Sequence, residues 1–79
     1  MADDPMQALR DAIKTAVMAQ TKPQPISAFH DNPSVRRAMF SIRPPQSPNR
    51  AFSAAWRDLE RSGAIRFNAV SEMWEVAGG

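Results

Sequence analysis

The sequence predicts a mainly α chain that ends in a small β-hairpin, on three observations. A capping residue stands directly before a proline three times, at Asp4-Pro5, Asn32-Pro33 and Ser47-Pro48. Such a side chain can accept from an orphan backbone N–H, and proline at the first helical position has no N–H to leave unpaired. Prolines or a glycine stop each following segment, at Pro23/Pro25, Pro44/Pro45 and Gly63. At Gly63 the apolar spacing changes from helical to alternating, with Ile65 and Phe67 against Trp74 and Val76, the two-residue period of half-buried strands.

The first helix is expected over about 5–20, with Met6, Leu9, Ile13, Ala16 and Val17 as its apolar stripe. Arg10, Asp11, Lys14 and Thr15 fall off that stripe and read as a solvated face. Two prolines within Thr21–Pro25 force an extended connection. Ser27 to Asp31 follows as a single helical turn, with Ile26 and Phe29 assigned to the core. Ser27, His30 and Asp31 are the side-chain types of a hydrolase triad, but neighbours on one turn cannot take up nucleophile, base and orienter geometry.

The second long helix is expected over about 33–42, with Val35, Met39 and Ile42 inward. Arg36, Arg37, Phe40 and Arg43 lie off that stripe. Two readings stay open for the arginines, an ordinary charged surface or a helix resting on a phosphate backbone. Phe40 either fills a corner of the core or stands out as part of a partner-binding patch. Arg43-Pro44-Pro45-Gln46 then breaks the helix and opens a long turn, or a proline arm able to carry Arg43 to a phosphate.

The third long helix is expected over about 48–62, burying Phe52, Ala55, Trp56 and Leu59 and leaving Asn49, Arg50, Ser53, Arg57 and Arg61 outside. Gly63 suits the left-handed conformation that ends a helix. A hairpin over about 64–77 closes the chain. One cluster of Leu9, Ile13, Val17, Val35, Met39, Phe52, Trp56, Leu59, Ile65, Phe67 and Trp74 is expected, centred on the two tryptophans.

The helix RAFSAAWRDLERSG, the strand AIRFN and the returning strand MWEVA, preceded by shorter helical segments, resemble winged helix-turn-helix DNA-binding domains. The resemblance implies a three-helix winged helix-turn-helix fold over residues 1–79, a β-bridge near Gln24 to Ser27, and a third helix whose N-terminal half enters the major groove. It would bring Asn49, Arg50, Ser53 and Arg57 nearest the bases, where arginine suits guanine, asparagine suits adenine and serine suits a base or phosphate. Arg36, Arg37 and Arg43 would meet the backbone, and Arg66, alternating outward on the hairpin, could reach a phosphate. The turn before the last helix is longer than the family's usual one. The hairpin tip, Asn68 to Met73, carries Glu72 and no cation, which departs from a groove-binding wing.

Composition bounds these readings. Seventy-nine residues form one domain, and a chain of that size hides only about 60 to 65% of its unfolded surface. Without cysteine, stability rests on packing. The net charge is +2, but Lys22, Arg36, Arg37, Arg43 and Arg50 face only Asp31 between residues 21 and 50. That +4 middle, with eight of ten cations arginine, favours an anionic partner.

One histidine, no cysteine, no phosphate-binding glycine loop and no metal-ligand spacing leave no parts for catalysis, a metal or a cofactor. Asp58 and Glu60 lie about 200° apart around a helix and do not pair on one face. No apolar run reaches the ~18 residues of a membrane span, and the acidic start has no signal-peptide pattern. A soluble, cytoplasmic protein is expected. Duplex DNA is the leading partner, for a small regulator of the kind mobile elements carry. The rival is a winged-helix module that inhibits or assembles a larger machine through Phe40, exposed methionines and the hairpin, without binding DNA. The open hairpin edge also suits pairing with a second copy as a homodimer.

Overall fold

The computed structural model describes residues 4–42 and 47–77. Its elements run α1 (Pro5–Ala19), α2 (Ile26–His30), α3 (Pro33–Phe40), α4 (Pro48–Ser62), β1 (Ile65–Asn68) and β2 (Met73–Val76). Three main helices followed by an antiparallel hairpin make a winged-helix-like arrangement, with α4 the third of the long helices expected from sequence.

Each long helix starts at its cap-proline pair. Asp4 Oδ1 accepts from the Met6 N–H at 3.0 Å. Asn32 Oδ1 accepts from both Ser34 and Val35, and Ser47 Oγ accepts from Arg50 at 3.2 Å. One carbonyl at Asn32 therefore satisfies two of the orphan donors at the start of α3. At the far end of α4, Gly63 takes φ 78°, and its N–H and that of Ala64 return to the Glu60 and Leu59 carbonyls. This is the left-handed stop that glycine adopts without strain.

The hairpin pairs Ile65 with Val76, Arg66 with Glu75, Phe67 with Trp74 and Asn68 with Met73. Its loop is organised by Asn68, whose Oδ1 accepts from Val70 and Ser71, an Asx turn. Glu72 closes the loop at φ 58°, an uncommon conformation for a residue with a Cβ.

The core joins Leu9, Ile13, Ala16 and Val17 of α1, Phe29 of α2, Val35 and Met39 of α3, Ala51, Phe52, Ala55, Trp56 and Leu59 of α4, and Ile65 of β1. Trp56 is its aromatic centre, with ring centroids 5.7 Å from Phe29, 5.9 Å from Phe52 and 4.9 Å from Trp74. Trp74 is half-buried and sits at the rim of the cluster rather than at its middle. Its carbonyl accepts from Gln20 Nε2, which ties β2 to the end of α1.

Four further expectations need correction. Phe67 is 51% exposed and packs edge-on against Trp74 at 5.4 Å; the alternation selects the correct sheet face, but Trp74 stands between that ring and Trp56. Ile26 is 40% exposed because it occupies the first position of a single-turn helix whose inward residue is Phe29, at 1%. The Gln24–Ser27 segment forms no bridge, since α2 begins at Ile26. Finally, α3 ends at Phe40 instead of residue 42, where Ser41 Oγ bonds the Ala38 carbonyl and the Ile42 N–H reaches back three residues to Met39. The proline arm, Arg43 to Gln46, lies outside the described residues.

Candidate nucleic-acid interface

The last long helix has two unlike faces. Its inner face is the largest contribution of any element to the core, and burying Phe52, Trp56 and Leu59 contributes about 1.5 to 3 kcal/mol each. That burial fixes the rotation of α4 and leaves Asn49, Arg50, Ser53 and Arg57 exposed together. These four residues and Ala54 line an open depression of about 310 Å³.

The depression follows from side-chain size and helical spacing. Arg50 and Arg57 are seven residues apart, about 10 Å along the axis, and between them lie only Ser53 and Ala54 on this face. Two long cations therefore wall a floor of small residues. Among the described residues no carboxylate lies within 4 Å of either guanidinium. Asp58, which the sequence leaves beside this face, is instead met by Arg10 of α1 at 3.6 Å. The same guanidinium reaches Asp4 and the Gln7 amide oxygen. Arg10 thus pairs one of the acids of α4 with α1, a role that its place on a solvated helix face does not announce.

The remaining predicted residues are distributed. Arg36 and Arg37 are exposed on α3, which packs against α4, but they do not line the depression. The Arg36 guanidinium lies 5.8 Å from the centroid of the Phe40 ring, within cation–π range. Phe40 itself is 65% exposed, so the choice between core and surface resolves to surface. Arg43 lies outside the described residues. On the hairpin, Arg66 Nε donates to Glu75 Oε1 at 2.7 Å, so its charge is met by its cross-strand partner. Arg66 first, and then the Asn68 amide, hold the Glu75 carboxyl below its ordinary value of 4.5.

His30 is the residue that sequence reasoning missed. Its Nε2 is 2.8 Å from Asn49 Oδ1, and its ring meets Phe52 edge-on at 5.0 Å. Considered only as part of a local trio, it has no signal pointing to α4, because the contact spans nineteen positions.

Among the described residues no group of three His, Cys, Asp or Glu side chains is arranged to hold a metal, and no helix is long and apolar enough to cross a membrane. Comparison with protein families, characterised proteins and solved structures finds no match to this chain. The arrangement is winged-helix-like in architecture; what the exposed residues do has to be argued from their chemistry.

Proposed function

We propose that this domain binds duplex DNA, presenting Asn49, Arg50, Ser53 and Arg57 of α4 to the groove while Arg36, Arg37 and Arg43 meet the backbone. The observation that carries this reading is the depression on α4, where two arginines with no carboxylate within 4 Å among the described residues flank a floor of small side chains. Planar guanidiniums suit the two acceptors of a guanine edge or the oxygens of a phosphate, and small neighbours let them approach. The acid closest in sequence to Arg57 is engaged by Arg10, which lowers the repulsion that a polyanion would meet there. Arg66 is the weakest member of the set, because it is already paired with Glu75.

A gel-shift titration on mixed duplexes tests the proposal. With about four phosphates neutralised, log affinity should fall against log salt with a slope of about −3.6, roughly 150-fold between about 50 and 200 mM. Arg57→Ala should weaken one preferred sequence by about 1 to 3 kcal/mol, whereas Arg37→Ala should weaken all duplexes alike. A folded protein that shifts no duplex at low salt and high micromolar concentration sinks the reading.

A second reading is favoured by the exposed Phe40 ring and by the acidic, cation-free loop of the hairpin. On that reading the domain docks on a protein, with Phe40 as the apolar anchor. Phe40→Ala separates the two: it should leave DNA affinity within about twofold if α4 does the binding, and should abolish capture of the partner if Phe40 does.

A further inference from the structure

The contact between His30 and Asn49 restricts what the recognition face offers. Asparagine owes its usual partnership with adenine to an amide that donates from nitrogen and accepts at oxygen in the same plane. Here Asn49 Oδ1 faces the imidazole, with Nε2 at 2.8 Å. With the amide oxygen on that side, Nε2 is the nitrogen that carries the proton, because two lone pairs would repel. The ring is packed from one further side. Phe52 meets it edge-on with the ring planes 78° apart, whereas Asp31 Oδ1, 3.5 Å from Nδ1, makes no hydrogen bond to it. Phe52 is itself buried in the core, so the ring is aligned by a rigid element.

We infer that His30 is a positioning residue for Asn49: its Nε2–H holds the amide oxygen toward the protein, so that Asn49 offers a partner its NH2 group alone. Resting on the DNA reading above, this changes the chemistry expected at one position. A donor pair meets acceptors, the N7 and O6 of guanine, the O4 of thymine or a phosphate oxygen, and does not select the donor-plus-acceptor edge of adenine. His30 touches no nucleic acid in this scheme and acts only through Asn49.

Two measurements test it. In the free protein, long-range nitrogen–proton correlations should show His30 Nε2 protonated, and His30→Leu should displace the Asn49 side-chain amide signals. His30→Gln, which keeps an N–H donor on a side chain of similar reach, should restore them toward the native positions. In selection from a randomised duplex pool, His30→Leu should shift preference at one position toward adenine if Asn49 reads a base. Native discrimination there should be about 5- to 150-fold, the span of one good base contact. If Asn49 holds a phosphate instead, His30→Leu should weaken all duplexes alike. In either case adding Asn49→Ala to His30→Leu should cost no more than Asn49→Ala alone, since the first acts through the second.

An unprotonated Nε2 in the native protein, or His30→Leu that moves neither the Asn49 amide signals nor the duplex preference, overturns the inference. Should the native protein bind no duplex, the DNA reading falls by itself, and the amide signals decide whether His30 positions Asn49.

Discussion

At the scale of single residues, Trp56 is where Phe29, Phe52 and Trp74 converge, so its indole is packed on several sides by rings. A fold of this length is worth about 4 to 12 kcal/mol, and truncating a buried tryptophan removes about 3 to 5. Trp56→Ala should therefore remove about 3 to 5 kcal/mol of that stability, read from denaturant unfolding followed by circular dichroism. Phe67→Ala should cost about 1 kcal/mol or less, because half of that ring already faces water and its main contact is the edge of Trp74. A second residue-scale expectation concerns acid. Arg66 and Asn68 lower the Glu75 carboxyl below 4.5, so the unfolded chain takes up that proton more readily than the folded one. The stabilisation is complete above the ordinary carboxylate value and is lost as pH falls through the lowered one. Melting temperatures of the native protein and Glu75→Gln should differ near neutral pH and converge in acid.

At the scale of elements, the turn of the hairpin carries backbone strain that one substitution can relieve. Glu72 holds φ 58° with a side chain present, a conformation that costs an L-residue about 1 to 2 kcal/mol. Glycine adopts it freely but brings an unfolded-state entropy cost of about 0.5 to 1 kcal/mol. Glu72→Gly should thus gain up to about 1 kcal/mol net, raising the melting temperature by several degrees. The reverse holds at the end of α4. A Cβ at Gly63 would meet no atom within 4 Å, so Gly63→Ala should be destabilising through backbone conformation alone.

For the whole molecule, the distribution of charge matters more than its sum. Among the described residues, the arginines without an ion pair lie on α3 and on the outer face of α4, whereas the hairpin closes on Arg66–Glu75 and carries Glu72 in its loop. On the DNA reading, this leaves the wing close to the duplex without a phosphate contact of its own. Glu72→Lys should raise affinity for every duplex without altering preference, and should steepen the salt slope by about 0.9 if the lysine neutralises one phosphate. The backbone strain at residue 72 stays, so thermal melting should change little. Equal affinity for Glu72→Lys and the native protein across salt would show that the wing lies beyond reach of the duplex.

The order of elements, the start of each long helix and the register-compatible strands were legible in the sequence, because capping, proline geometry and side-chain periodicity act within one helical turn or over alternate residues. The inward set of α4 was legible for the same reason, and with it the shared exposure of Asn49, Arg50, Ser53 and Arg57. Tertiary structure decided the rest. Trp74 screens Phe67 from the core although both lie on the correct sheet face. Arg10 reaches Asp58 from another helix, and His30 meets Asn49 across nineteen positions. No local rule reaches that far: such contacts depend on how buried faces set the rotation and separation of whole elements, and only the packed core determines those.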